Sequence, residues 1–191
     1  MIGIFDDPFK IEGQDLVMLP LSLDHIEDLT KVALHDSVWE YNLKTIKERT
    51  RDGIEHYVRN LLQERSVRYA VPFVIQNKAT GELIGMAKFD NIIPRHQRLD
   101  IGGVWIGAPH DAAIEIPKVL HNMAQYAFDE LEVERLGFIL DERHSVLRSG
   151  IETTGATCEG ILRHFFLYPN GEYGNFASYS ILSEEWAKLK K

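Results

Sequence analysis

The sequence contains a single cysteine, Cys158, among its 191 residues. One cysteine cannot form an internal disulfide, and it excludes a cysteine-rich metal centre. We expect Cys158 to be a small buried hydrophobic residue. Eight histidines are present, but no two of them have the spacing of a helical metal motif such as H-E-x-x-H. The sequence therefore predicts no metal site.

Positive charge and long apolar runs are also scarce. Lysine and arginine number 21 against 29 acidic residues, which gives a formal net charge of −8. Nucleic acids and anionic membranes require clustered positive charge, so neither is expected as a main partner. No apolar run approaches the roughly 18 residues of a membrane span. The first residues, MIGIFDDPFK, carry early acids instead of the apolar core of a signal peptide. A cytoplasmic location is the resulting expectation.

Apolar and charged residues are present in proportions typical of a globular protein, 45% and 26%. A chain of this length is expected to form one domain over residues 1–191. Apolar patterning and turn signals predict seven strands, with helices between several of them. The predicted strands span residues 15–20, 69–76, 83–92, 99–106, 136–140, 158–168 and 172–182. Pro72 predicts an edge or irregular position for the second of these strands.

Residues 99–131 join a buried strand, a loop and a long amphipathic helix, and the next strand should run parallel to the first. The remaining strands are predicted to pair antiparallel. The expected fold class is α+β, with a mixed, mostly antiparallel sheet of six to seven strands, one central parallel pair and helices on both faces. Gly102 and Gly103 indicate a bulge or a close approach of a ligand to the backbone. A ligand crevice is expected beside this strand, where the strand order switches.

Five stretches resemble one enzyme family over nearly the whole chain. They are KATGELIGMAKF at 78–89, DIGGVWI at 100–106, AFDELEVERL at 127–136, TTGATCEGILRHF at 153–165 and NGEYGNFASYSILSEEW at 170–186. On these stretches the chain is similar to the GCN5-related N-acetyltransferases (GNAT), and more closely to their ribosomal-protein alanine/serine branch. The resemblance implies acetyl-CoA as cofactor and a primary amine as acceptor, either a small molecule or a protein N-terminus. A homodimer is one candidate assembly, and the sequence does not decide whether the protein dimerises.

The resemblance implies two sets of cofactor contacts. In the family, the pantetheine arm of acetyl-CoA pairs with the strand that corresponds here to residues 100–106. The pyrophosphate lies on a glycine-containing loop at the start of the following helix, where the backbone can approach the phosphates. The implied strand contacts are Gly103, Val104, Trp105 and Ile106. The implied loop contacts are Asp111, Ala112, Ala113 and Ile114.

The loop departs from the family pattern. Asp111 stands where Gln or Arg is expected, and Ala112 and Ile114 replace two glycines. A carboxylate beside a diphosphate costs on the order of 1 kcal/mol even near a surface. His144 and Leu147 stand where the family has an Asn and a Ser that help to hold the coenzyme arm. His144 at a helix start is a candidate for anion binding or acid–base chemistry, with solvent-exposed helix capping as the alternative.

Three residues are candidates for catalysis. Asp100 is a candidate general base that takes a proton from the amine, with an ion pair to Arg98 or Arg95 as the alternative. Glu40, beside Trp39 and Tyr41, is a candidate for the acceptor pocket, with local aromatic packing as the alternative. Tyr179 is a candidate general acid for the coenzyme thiolate, with a core position as the alternative.

Two functional hypotheses follow. The first is an acetyl-CoA-dependent N-acetyltransferase with an atypical phosphate loop, which transfers the acetyl group directly in a ternary complex while strand N–H groups polarise the thioester carbonyl. The second is an acetyltransferase-fold protein that no longer binds acetyl-CoA and serves as a non-catalytic binding or assembly protein. The loop residues motivate the second hypothesis, and the whole-length resemblance motivates the first.

Overall fold

A computed structural model describes residues 3–42, 46 and 48–189 of the chain. It contains eight strands and five α-helices within those residues. In chain order these are β1 (Ile11–Glu12), β2 (Leu16–Pro20), α1 (Ile26–Ala33), α2 (Arg51–Ser66), β3 (Val71–Asn77), β4 (Leu83–Ile93), β5 (Arg98–Ile106), α3 (Ala112–Asp129), β6 (Arg135–Asp141), α4 (Ser145–Thr153), β7 (Thr157–Leu167), β8 (Tyr173–Leu182) and α5 (Ser183–Leu189).

The strands form one sheet in the order β1-β2-β3-β4-β5-β6-β8-β7. Among these described strands, only β5 and β6 pair in parallel, and all other neighbouring pairs are antiparallel. This confirms the predicted α+β class with one central parallel pair. The sheet has one strand more than predicted, because β1 is only two residues long and shows no apolar periodicity.

Helices cover both faces of the sheet, as predicted. On one face, α3, α4 and α5 pack over a cluster that includes Phe89, Phe138 and Met123. On the other face, α1 and α2 pack over a separate cluster that includes Trp39, Val74 and Trp105. Because the two clusters are separated by the sheet, each strand side chain in the centre of the sheet belongs to one face only.

Local signals in the sequence define α2. The Thr50 hydroxyl accepts a hydrogen bond from the Gly53 N–H and caps the helix. Its apolar stripe, Ile54, Tyr57, Val58 and Leu61, is buried against the sheet. This helix supplies one wall of the functional site described below.

The structure corrects two sequence expectations. Of the two alternatives for the strand that carries Pro72, the edge position is wrong, because β3 lies between β2 and β4, while a register shift between Ile75 and Gln76 agrees with the irregular one. Pro72 is tolerated there because it lies just beyond the last residue paired with β2, and its carbonyl accepts a hydrogen bond from the Leu21 N–H. Cys158 is exposed and not buried, because β7 is the outermost strand of the sheet and faces solvent along its length.

Candidate active site

The parallel strands β5 and β6 are paired over only three residues. The pairs are Arg98 with Arg135, Leu99 with Leu136 and Asp100 with Gly137. Beyond Asp100, β5 pairs only with β4, and β6 pairs only with β8. The two strands therefore separate in the middle of the sheet and leave an opening between them.

A bulge in β5 accompanies this separation. The register between β4 and β5 shifts between the pairs Lys88–Gly102 and Met86–Trp105. Gly103 lies at the shift with φ +58°, a left-handed conformation that favours glycine. The predicted bulge is confirmed, and it turns the second half of β5 away from β6.

The separated half of β5 presents unpaired backbone groups to the opening. The Gly107 N–H donates to the Ile84 carbonyl of β4 at 2.8 Å, while Ile106 is the residue paired with Gly85. In this antiparallel pattern the N–H and C=O of Ile106 point away from β4. Since amide direction alternates along a strand, those of Val104 also point toward the opening. An extended ligand can pair with this edge.

A cavity of about 500 Å³ occupies the opening and continues toward α2. It brings together residues from β4, β5, β6, β7, β8, α2 and α4, and from the segments before α2 and before β3. Its lining includes Tyr41, Asn42, Tyr57, Leu61, Tyr69, Lys88, Asp90, Asn91, Asp100, Ile101, Gly102, Gly103, Val104, Ile139, Leu140, His144, Leu147, Phe165, Phe166 and Phe176.

Asp100 lies at the point where the strands separate. Its carboxylate accepts a hydrogen bond from the Asn91 side chain at 3.0 Å. Burial raises its pKa above the ordinary value, while Asn91 and, at longer range, Arg98 act in the opposite direction. The hydrogen-bond partner of Asp100 is therefore Asn91. Among the described residues, Asp100 forms no ion pair with Arg98 or Arg95, which was the alternative interpretation.

Lys88 forms a buried ionic network beside the bulge. Its ammonium group lies 3.1 Å from Glu64 of α2 and 2.7 Å from Asp90 of β4. Its aliphatic stem packs on Gly103, where an added Cβ would meet it at 3.4 Å. The Asp90 carboxylate in turn accepts from the Asn91 N–H at 3.0 Å. Lys88 therefore joins α2 to the bulge, and Asn91 links the network to Asp100.

The start of α3 is capped by its own side chain. The Asp111 carboxylate accepts a hydrogen bond from the Ala113 N–H at 2.9 Å. Ala112 begins the helix, Ile114 is exposed, and none of the residues 111–114 lines the cavity. A diphosphate does not fit this helix start, because the Asp111 carboxylate already accepts the hydrogen bond of the Ala113 N–H. Its negative charge also repels anions. The open edge of β5, in contrast, fits a pantetheine arm.

His144 caps α4 inside the cavity. Its Nδ1 accepts a hydrogen bond from the Leu147 N–H at 3.3 Å, and both side chains line the cavity. Burial lowers the pKa of His144, against the raising effect of Asp141 and Glu40. The capping role of His144 is confirmed, but the side chain is half-buried and not solvent-exposed.

The other predicted residues lie outside the cavity lining. The Glu40 side chain is exposed. It contacts the cavity through Tyr41, and its hydrogen bond raises the pKa of the Tyr41 hydroxyl. Tyr179 points to the α3–α4 face and donates to Glu152 at 3.1 Å. The Trp105 side chain packs in the α1–α2 cluster, with its Nε1 3.4 Å from the Tyr57 hydroxyl. The Ile106 side chain lies in the cluster on the opposite face.

Several cavity residues were not predicted from the sequence. Lys88 and Asp90 alternate along β4 as solvent-facing residues do, and Phe165 and Phe166 resemble an ordinary apolar strand. Only the tertiary structure places them at the same opening. One pattern could have identified Lys88 and Asp90. They are two polar residues that alternate along β4, next to the adjacent glycines Gly102 and Gly103 of β5.

A second buried ionic group lies at the end of β6. Asp141 is almost fully buried and accepts from the Arg143 Nε at 2.9 Å, the Arg143 Nη2 at 2.7 Å and the Tyr168 hydroxyl at 2.6 Å. The Arg143 guanidinium lies between the rings of Tyr41 and Tyr168. This group connects the end of β6 to Tyr168, the residue that follows β7, and to the segment that carries Tyr41.

Within the residues described, no group of three or more His, Cys, Asp or Glu side chains is arranged to hold a metal ion. The same part of the chain contains no helix long and apolar enough to cross a membrane.

The sheet is thus mixed, and its central parallel strands separate around a bulged, open strand edge. A family model described as "Acetyltransferase (GNAT) domain" matches residues 15–157. The chain therefore belongs to the GNAT acetyltransferase family.

Individual relatives agree with this assignment. The Bacillus subtilis (strain 168) protein "Putative ribosomal N-acetyltransferase YdaF" is 30% identical over 106 residues, which are 56% of this chain and 57% of that protein. The match thus spans a little over half the length of that relative. A GCN5-related N-acetyltransferase from Brucella melitensis has the same fold, with a TM-score of 0.85, 22% identity and coverage of 96% of this chain and 83% of that one.

A further solved structure was determined with a coenzyme. The ribosomal L7/L12 alpha-N-protein acetyltransferase RimL, in complex with coenzyme A, matches with a TM-score of 0.74 and 17% identity. The match covers 91% of this chain and 98% of that one. At this identity the likeness concerns the fold alone.

Proposed function

We propose that this protein is an acetyl-CoA-dependent N-acetyltransferase that transfers the acetyl group directly to a primary amine. The observation that carries the proposal is the separation of β5 from β6 at Asp100 and Gly137. It places an open strand edge and a half-buried carboxylate at one cavity. The non-catalytic alternative rests on the capped start of α3 alone, and the matching family model gives it no support.

The open edge of β5 would hold the donor. The N–H and C=O groups of Val104 and Ile106 are available to the amides of a pantetheine arm. Acetyl-CoA, when bound there, supplies a thioester whose acetyl group is the one transferred. An N–H of this edge is also a donor for the thioester carbonyl, where negative charge develops as the amine attacks.

Asp100 would accept a proton from the amine. The acceptor enters largely as an ammonium ion and must lose one proton before its nitrogen can form the new C–N bond. Asp100 takes this first proton and later releases it to solvent. The second proton leaves the nitrogen as the C–S bond breaks and protonates the coenzyme thiolate, so the overall reaction releases one proton. Burial raises the pKa of Asp100, which makes it a stronger base than an exposed carboxylate. Tyr179 and Glu40 have no part in this proposal because they lie outside the cavity lining.

The acceptor class is either a small-molecule amine or a protein N-terminus. The relative YdaF, whose name is that of a putative ribosomal N-acetyltransferase, supports a protein amine as one class. The test is release of coenzyme A from acetyl-CoA with a panel of primary amines and N-terminal peptides, with product masses measured. We expect acetylated product from the native chain and a decrease of about 10²-fold or more in kcat for Asp100→Asn. A native chain that acetylates nothing in the panel would contradict the proposal.

A further inference from the structure

Beyond the strand edge, the walls of the cavity are formed largely by aromatic and aliphatic side chains. Tyr57 and Leu61 of α2, Tyr41, Tyr69, Phe165 and Phe166 form these walls. Tyr69 and Phe165 are half exposed at 52% and 47%. Exposed aromatic rings around a concave opening are typical of a surface that binds an apolar ligand.

The end of the cavity beside the strand separation, called here its inner end, carries negative charge. Asp90 and Asp100 are cross-strand partners on β4 and β5, and both line the cavity. Among the described lining residues the only lysine or arginine is Lys88, and its ammonium group is already shared between Glu64 and Asp90. Arg143 stacks on Tyr41 from outside, but its charge is bound to Asp141. A cation is therefore favoured at the inner end, and a carboxylate is repelled.

From these two features together we infer that the acceptor is a primary amine carried on an apolar, preferably aromatic, body and without a carboxylate near its nitrogen. The inference rests on the proposed acetyl transfer. The ammonium or amine group lies toward Asp100, and the apolar body packs against the aromatic walls. An amino acid with a free carboxylate places a negative charge beside Asp90 and Asp100, and a short polar amine leaves the aromatic walls in contact with water.

A matched set of acceptors separates the two features. Phenylalanine, phenylalaninamide and 2-phenylethylamine share one aromatic body and differ at the carbon that carries the nitrogen. Ethanolamine has the amine without the apolar body. With acetyl-CoA held at saturation and rates referred to the unprotonated amine, we expect kcat/KM for 2-phenylethylamine and phenylalaninamide to exceed that for phenylalanine and for ethanolamine by at least tenfold. Equal values for phenylalanine and phenylalaninamide would overturn the inference, as would equal values for ethanolamine and 2-phenylethylamine.

Two variants on β7 test whether the aromatic wall of the cavity causes the preference for an aromatic acceptor. Phe165→Ala removes a half-exposed ring from the cavity wall, where it contacts the Phe176 ring at a centroid distance of 5.3 Å. We expect it to raise KM for 2-phenylethylamine at least threefold and to raise KM for ethanolamine by less. Leu167→Ala is the matched control, since Leu167 is an exposed apolar residue of the same strand outside the cavity lining. Equal effects of the two substitutions would contradict the assignment of the aromatic wall.

Direct binding distinguishes failure of the inference from failure of the proposed function. Calorimetric titration of the native chain with 2-phenylethylamine and with phenylalanine measures recognition without any transfer. Binding of 2-phenylethylamine in preference to phenylalanine, without coenzyme release, would support the site and overturn the transfer reaction. Transfer to polar or acidic amines, without that preference, would support the transfer and overturn the inference.

Discussion

The Asp100 carboxylate lies directly over Gly137, its partner across the last parallel pair of β5 and β6. A Cβ added to Gly137 would lie 2.2 Å from Asp100 Oδ1. No side chain can be present at position 137 while Asp100 keeps its position and its hydrogen bond to Asn91. The glycine at position 137 of β6 therefore leaves the space in which the Asp100 carboxylate of β5, the candidate base, lies.

We therefore expect Gly137→Ala to reduce kcat through Asp100. The methyl group displaces the carboxylate by about an ångström or more, and misplacement of this size can cost about 10²-fold in rate. The test is a double-mutant cycle in which Gly137→Ala is introduced into the native chain and into Asp100→Asn. The rate loss should be largely absent in the Asp100→Asn background, and an equal loss in both backgrounds would show that the effect does not act through Asp100.

The pH dependence of the reaction should report the same carboxyl group. Desolvation raises the pKa of Asp100, and the nearby Asp90 adds to this, while Asn91, Arg98 and Arg135 lower it. A base with a raised pKa is protonated and inactive at acid pH, so kcat/KM should rise as the pH increases through that pKa. The midpoint should lie above the ordinary range of an aspartate.

The variant Asn91→Ala tests whether Asp100 is the group that determines the midpoint of this pH profile. Loss of its hydrogen bond removes a group that stabilises the charged carboxylate, so the midpoint should move to higher pH. Asp100→Asn should remove this limb of the profile altogether. A limb that keeps its midpoint in both variants would assign the titration to another group, such as the acceptor itself.

The buried Asp141 should make the fold sensitive to acid. Burial alone would raise its pKa, but hydrogen bonds from Arg143 and Tyr168 outweigh this and lower the pKa to about 2. An unfolded aspartate titrates near about 3.9. The contribution to the free energy of unfolding, about 2 kcal/mol, is therefore complete above the unfolded pKa and is lost as the pH falls toward 2.

Urea denaturation of Asp141→Asn measures this contribution. At pH 7 we expect the variant to be less stable than the native chain by about 2 kcal/mol or more, since Arg143 loses its partner. The difference should decrease at pH 3. Asp28→Asn removes the exposed ion pair with Lys31 and should cost at most about 1 kcal/mol. A difference for Asp141→Asn that does not change between pH 7 and pH 3 would contradict the role of the carboxylate charge.

The sequence predicted those parts of the fold and site that depend on local pattern. Gly102 and Gly103 identified the bulge because two adjacent glycines weaken a regular strand and permit the left-handed conformation that a bulge requires. The strand–helix–strand unit identified the parallel pair. Lys88 was missed because its burial depends on Glu64, which lies 24 residues away in the chain. Cys158 was placed wrongly because strand order, which no local pattern encodes, puts β7 at the edge of the sheet.

The start of α3 provides the sharpest test of the donor site. The Asp111 carboxylate caps the helix at Ala113 and places negative charge where a diphosphate would lie. Asp111→Asn retains an N-capping side chain and removes the charge, so the helix should keep its stability. With the repulsion gone, on the order of 1 kcal/mol near a surface, KM for acetyl-CoA should fall about fivefold. KM for acetyl-pantetheine, which has no diphosphate, should not change. If both donors respond equally, Asp111 acts through the structure of the helix and not through its charge. If neither responds, the diphosphate lies away from this helix, and the open edge of β5 is the principal donor contact.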